Sequence, residues 1–310
     1  TLRTICSVVV KTVPVASSRR YALLLLLAAA WGSACMAITA GLEFFPPILV
    51  AAFRFDIAGV VMLAYAAYAN DTVVPRGREA WASVLVSALF IFAGYHVLLF
   101  IGETDPLVTS AAASVIISLS PILTTALAQV FLPTEQLSVV GMCGLFIGLL
   151  GVILLARPDP SLIIAQGGSG KLLILAAAGS FAFGSVLTRR FDDSISIETL
   201  EAWAMIGGAV IMHAVSASAG ESVSAVIWSS EAVAALLYLS VVASAFGFLI
   251  YFNLLNRVGA IKINLVSYVA PIFAAIAGWI FLDEIPTVYT ISGFSLILIG
   301  FMLIKWQTLI

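Results

Sequence analysis

Apolar residues run through this chain in stretches too long for the core of a soluble domain. Breaks at charged, proline or glycine-rich clusters leave about ten of them: residues 21–41, 47–69, 80–102, 107–131, 138–156, 172–190, 199–219, 231–255, 261–282 and 288–305. A membrane-crossing helix needs roughly 20 mostly apolar residues, and each stretch is of that order. Only 10% of the residues are charged, where about 25% is usual in soluble domains. The longest connections, 70–79, 157–171 and 220–230, are too short to fold alone. The expected fold class is therefore an all-α membrane protein with ten transmembrane helices.

Charge placement orients it. With the N-terminus inside, the inner segments hold Arg3, Lys11, Arg19, Arg20, Arg76, Arg78, Arg189, Arg190, Arg257, Lys262 and Lys305. The outer segments hold only Arg157 and Lys171, and Arg54 lies within a span. This bias predicts both termini in the cytoplasm of a plasma-membrane or inner-membrane protein. No small-residue cleavage site follows the first apolar stretch, so 21–41 is read as a retained helix.

The same string of residues occurs twice. Pro121, Phe131-Leu132, Glu135, Gly144 and Gly151 are answered by Pro271, Phe281-Leu282, Glu284, Gly293 and Gly300. The repeat divides the chain into a cytoplasmic tail (1–20), a first five-helix unit (21–156), a linker (157–171), a second unit (172–305) and a C-terminal tail (306–310). Five is odd, so the second unit enters the membrane from the opposite side and the two are inverted. Binding sites in such proteins lie near the midplane where the halves meet. Gly144 and Gly148 form a GxxxG suited to close helix approach.

With these pieces in place, the chain resembles the drug/metabolite transporter superfamily, in its ten-helix EamA-domain branch. The resemblance rests on Trp31-Gly32, on Pro47 leading to Phe53-Arg54-Phe55, and on the two proline–glutamate–glycine strings, and it covers roughly residues 21–305. It implies two inverted five-helix EamA repeats that move small metabolites, such as amino acids or amphipathic drugs, by alternating access. Export is implied by the resemblance alone. Asp56 and the acidic turn Glu103-Thr104-Asp105 depart from the usual pattern.

Arg54 is the most telling single residue. It lies about 10 Å into its span at 1.5 Å per residue, and a charge at such depth costs at least roughly 2.5–3.5 kcal/mol unless it faces a polar interior or a partner. Two readings stand: a clamp for a substrate carboxylate or phosphate, or for a gating carboxylate, against a structural ion pair or snorkelling to the outer headgroups. Asp56, about 200° around the helix, is not placed to pair with it. Pro121 and Pro271 each free a carbonyl, those of Ile117 and Ser267. Ser118 and Thr124 near the first, and Asn264 and Tyr268 near the second, suit a substrate site, a hinge, or simple satisfaction of the backbone. Tyr95, His96, Trp31, Trp203, Tyr251 and Asn253 are candidates for a cavity wall, with core packing as the alternative. His213 is a second histidine open to proton relay or packing. Glu135 and Glu284, at symmetric loop–helix junctions, read as caps or gate locks. Glu198 and Glu201 open a span and read as helix-capping carboxylates.

Other chemistries find no support. Three cysteines (Cys6, Cys35, Cys143) form no metal spacing, and no HExxH, GxSxG or Walker loop occurs. No cofactor, metal or enzymatic activity is expected. Asp192-Asp193 has no second acidic pair, which weighs against an intramembrane enzyme. A non-transporting membrane sensor or scaffold is the alternative, although it requires neither a repeat nor a buried arginine. The expected partners are the lipid bilayer and a small-molecule substrate, with no nucleic acid; homodimerisation is left open.

Overall fold

The computed structural model describes residues 15–105, 108, 113, 116–132, 137–156, 168–191, 195–281 and 288–306. Among these, helix follows helix with no strand: α1 (Val15–Leu42), α2 (Pro47–Ala69), α3 (Arg78–Glu103), α4 (Ser120–Phe131), α5 (Val139–Ala156), α6 (Gly168–Arg190), α7 (Ile197–Ser218), α8 (Ser230–Val258), α9 in two pieces (Ala260–Asn264 and Val266–Phe281) and α10 (Val288–Trp306). By length and composition α2, α3, α6, α7 and α8 are each able to cross a membrane, and shorter apolar helices occupy 120–131, 139–154, 260–274 and 291–304. Glu135 and Glu284, the Asp192-Asp193 pair, the linker up to residue 167 and the ends of both tails lie outside the described residues.

Polarity is distributed inside out. Leu26, Val60, Leu89, Phe146, Val210 and Met302 are exposed, whereas Arg54, Ser87, His96, Thr124, Glu201 and Asn264 are buried. Water would favour the reverse; a hydrocarbon surround favours this one, because polar groups there must find partners within the bundle.

Helix ends are closed by side chains from distant sequence. Pro47 starts α2, where its missing N–H is no loss. The next two amides, of Ile48 and Leu49, donate to the Glu221 carboxylate at 3.0 and 2.8 Å, and the Ser216 hydroxyl holds the same carboxylate at 2.7 Å. Asp105, in the acidic turn, accepts from the Gly170 amide at the start of α6 at 3.1 Å. Glu221→Ala is expected to cost about 0.5–2 kcal/mol, the usual worth of such a cap, read as a lowered melting temperature of the detergent-solubilised protein.

The halves exchange contacts. α2 packs on α7 and α5 on α10, while α1 crosses to α8 and α9, and α6 crosses to α3 and α4. The repeated glycines explain the α5–α10 seam. A Cβ on Gly144 would meet the Gly300 carbonyl at 2.7 Å, and one on Gly151 would meet the Gly293 carbonyl at the same distance. The first glycine of one copy thus touches the second of the other, so these equivalent helices run antiparallel and self-complementary.

Two segments were not foreseen. α3 widens into a π-helix over Ser87–Gly94 and α8 over Tyr238–Phe246. A π turn takes in an extra residue and disturbs the carbonyl ladder. Each such segment receives a donor from the other half. Trp31 Nε1 donates to the Ala243 carbonyl at 3.0 Å, and Ser180 Oγ donates to that of Phe90 at 2.8 Å.

Candidate functional site

Where the two halves meet there is a cavity of about 130 Å³, roughly ten times the space one water needs. The C-terminal half of α1 supplies Trp31, Gly32 and Ile38; α2 supplies Arg54; the C-terminal half of α3 supplies Tyr95, His96, Leu99 and Glu103. Phe181 of α6, Phe248 of α8, Ser120 of α4, and Ser267, Ala270 and Pro271 of α9 complete the wall. Its surface is mostly aromatic and aliphatic, with a few polar groups, the usual make-up of a small-molecule site.

Arg54 is 4% exposed, as its depth in the span requires. Its Nε donates to Ser244 Oγ at 2.5 Å, and its guanidinium carbon lies 5.1 Å from the Phe55 ring centroid, within cation–π range. Ser244 belongs to the π segment of α8, so the irregular backbone of one half orients the arginine of the other. His96 Nδ1 lies 2.8 Å from the Phe92 carbonyl. A carbonyl can only accept, so that nitrogen carries the proton. The Phe55 and Tyr95 rings hold the imidazole edge-on at 4.6 and 4.8 Å.

The carbonyls four residues before the prolines, of Ile117 and Ser267, are both met by serines, although only Pro271 frees its carbonyl from within a helix. A turn over Ser118 and Leu119 precedes α4, so Pro121 sits in the first turn of that helix rather than inside it. Ser120 Oγ donates to the Ile117 carbonyl at 2.7 Å. Pro271 does lie within a helix, and Ser118 Oγ donates to the Ser267 carbonyl at 3.3 Å, tying the turn before α4 to α9.

Behind the aromatic wall lies a second polar group. Tyr251 stacks on Trp31 and Phe181, with centroids at 5.5 and 5.3 Å. Its hydroxyl meets Ser185 Oγ and donates to Asn264 Oδ1 at 3.1 Å, and Asn264 Nδ2 donates to Thr124 Oγ1 at 2.8 Å. These four residues link α6, α8, α9 and α4, and none of them lines the cavity. Tyr268 packs on Gly148 and donates to the Leu145 carbonyl at 3.0 Å. Trp203 stands at the start of α7, donating to the Val73 carbonyl at 2.8 Å, and Asn253 is half-buried outside the lining. Of the residues predicted as cavity wall, Trp31, Arg54, Tyr95 and His96 therefore converge on one space. Glu103, Phe181 and Phe248 were not among those candidates; Glu103 alone carried a signal, as a carboxylate at the very end of an apolar run.

Two further carboxylates lie away from the cavity, and one of them, Glu201, differs from its sequence reading. Asp56 Oδ2 pairs with His213 Nε2 at 2.6 Å, on the seam between α2 and α7. Glu201 caps nothing. Ser196 takes that role at 3.4 Å from the Thr199 amide, while Glu201 is fully buried with neither carboxyl oxygen hydrogen-bonded among the described residues.

Comparison with known proteins adds the decisive observation. The EamA-like transporter family matches the chain twice, over residues 19–157 and again over 168–306. The chain belongs to the EamA-like transporter family. It is 30% identical over 291 residues to a chloroplastic WAT1-related protein of Arabidopsis thaliana, covering 89% of this chain and 67% of that protein. It is 28% identical over 270 residues to the uncharacterized transporter YoaV of Bacillus subtilis, covering 87% and 91%. It is 28% identical over 249 residues to the uncharacterized inner membrane transporter YedA of Escherichia coli, covering 80% and 78%. A solved crystal structure at 23% identity superimposes with a TM-score of 0.77 over 94% of this chain and 98% of its own, a likeness of fold. As an EamA protein the chain is a membrane transporter built of two repeats, and the Arg54 cavity lies where those repeats meet.

Proposed function

We propose that this EamA protein carries a small zwitterionic metabolite, such as an amino acid with an apolar or aromatic side chain, across a cell membrane by alternating access. The carrying observation is that one cavity presents Arg54 and Glu103 on walls of Trp31, Tyr95, Phe181 and Phe248. A guanidinium suits a carboxylate, a carboxylate suits an ammonium, and the rings suit an apolar body. In this reading ten spans form two inverted five-helix units, 21–156 and 172–305, with both termini in the cytoplasm. The antiparallel glycine seam and the exchanged contacts between halves support it. The prolines at 121 and 271 serve as hinges, since each lies beside a carbonyl held by a serine rather than by the helix ladder. Net direction follows the substrate gradient, so accumulation inside the cell drives export.

Counterflow into proteoliposomes preloaded with amino acids, amines, carboxylates, sugars or phosphorylated metabolites tests this. Uptake of labelled zwitterion is expected from the amino-acid pool only. Glu103→Gln is expected to raise KM roughly 10-fold or more, the worth of a charged hydrogen bond, and to weaken competition by amines. Exchange of sugars or phosphates in place of zwitterions would overturn the substrate class. The absence of exchange from every pool, with folded protein, would favour a membrane sensor.

A further inference from the structure

We propose that Glu201 is a proton-binding site of the conformational cycle, an inference that rests on the transporter reading and adds a ligand to it. The group lies early in α7, is 0% exposed, and leaves both carboxyl oxygens without a hydrogen-bond partner among the described residues. Leu200, Ala202, Ala204 and Met205 around it on the helix are also buried. An unpaired ionised carboxylate in such a place costs several kcal/mol, and a neutral acid costs far less. This conformation therefore holds Glu201 with its proton on.

No neighbouring charge among the described residues changes that conclusion. α7 packs against α2, α3 and the last part of α8. From α2, Arg54 is bound to Ser244 and Asp56 to His213, and Tyr65 and Tyr68 point outward. From the α2–α3 connection, Asp71 and Arg76 are exposed; from α3, Arg78 and Glu79 are exposed, and Tyr95, His96 and Glu103 line the cavity. From α8, Glu231 and Arg257 are exposed, Tyr238 meets Ser33, and Tyr251 is committed to Ser185 and Asn264. On α7 itself, half-buried Glu198 lies one turn earlier, where its charge opposes a second negative charge on Glu201.

The same stretch of α7 is pinned in two places. Thr199 Oγ1 donates to the Thr72 carbonyl at 3.3 Å, and Trp203 Nε1 to that of Val73 at 2.8 Å. Both acceptors lie in the α2–α3 connection, and the two donors flank Glu201. Releasing them lifts this turn and admits water to the carboxyl. The O–H bond then breaks, the proton passes to water, and the carboxylate stays hydrated. One proton is given up per opening, so acid favours the closed conformation and base the opened one.

The test is hydrogen–deuterium exchange of the segment 197–205 in the full chain in detergent between pH 6 and 9, corrected for base-catalysed intrinsic exchange. Opening in the wild type is expected to rise with pH, by up to about tenfold per pH unit. Glu201→Gln, a permanent neutral mimic, should stay flat and closed. Glu198→Gln should move the rise to lower pH and gives a second readout if the Glu201→Gln protein unfolds. A flat wild-type profile, or parallel profiles in wild type and Glu201→Gln, would overturn the proposal. The readout needs no substrate, so a failed counterflow assay counts against the transport reading and leaves this one standing on its own measurement.

Discussion

Arg54→Ala is expected to lower counterflow by roughly 10- to 100-fold while the protein still inserts and folds. A charged hydrogen bond contributes about 1.5–3 kcal/mol, and each 1.4 kcal/mol is about a factor of ten. Stability is expected to move less than transport, because alanine removes a buried cation together with its desolvation cost, and Ser244, which accepts from the Arg54 Nε, is a neutral hydroxyl. That split separates the two readings of the residue. An arginine that merely bridges α2 and α8 would lose stability along with transport. Arg54→Lys keeps the charge but not the planar fork that pairs with a carboxylate, and it should recover only part of the rate. Counterflow and the melting temperature, measured on the same preparation, decide between these outcomes.

The largest structural effect is expected at Gly300. A Cβ there would stand 2.5 Å from the Gly144 carbonyl oxygen and 2.6 Å from the Gly148 nitrogen, both backbone atoms with no rotamer to yield. Gly300→Ala should cost about 1–3 kcal/mol, the usual range for overpacking, and Gly300→Leu should prevent a monodisperse fold altogether. Gly179→Ala is the control, because nothing stands within 4 Å of its added Cβ. That variant should be neutral or slightly stabilising, since alanine is the better helix former by about 0.5–1 kcal/mol. Fluorescence-detected size exclusion after a heating series ranks the three. Equal behaviour of Gly300→Ala and Gly179→Ala would mean that the α5–α10 seam is looser than its backbone contacts indicate.

Part of the cavity could be anticipated because Arg54 and Pro271, which line it, carry a cost that only one environment relieves. Arg54 had to be buried among partners, and Pro271, inside its helix, had to leave a carbonyl that something must satisfy, whereas Pro121 turned out to stand in a first turn. The Ser267 carbonyl does accept a serine hydroxyl, that of Ser118. The aromatic candidates carried no such cost. Tyr251, Tyr268 and Trp203 are as suited to core packing as to a cavity, and all three have found partners elsewhere. Glu201 was misread because its position near a helix start satisfies the rule for a capping carboxylate, while Ser196 was already in place to cap.

Composition and the repeat by themselves determine that this chain is helical, belongs in a membrane and is built of two like units. Runs of apolar residues leave no other way to satisfy the backbone in lipid, and a duplicated proline–glycine string marks two copies of one design. Only the tertiary structure decides which side of each helix faces the centre. In water an inward face is the apolar one and is legible from its period. Here lipid and core are both apolar, so Leu26 and Leu27 look alike in sequence, although one is exposed and the other buried. The same holds for the π segments of α3 and α8, which arise in sequence without a proline or a charge and receive donors from the opposite half, Trp31 and Ser180. Their geometry is a property of packing across the two halves, and no local stretch contains it.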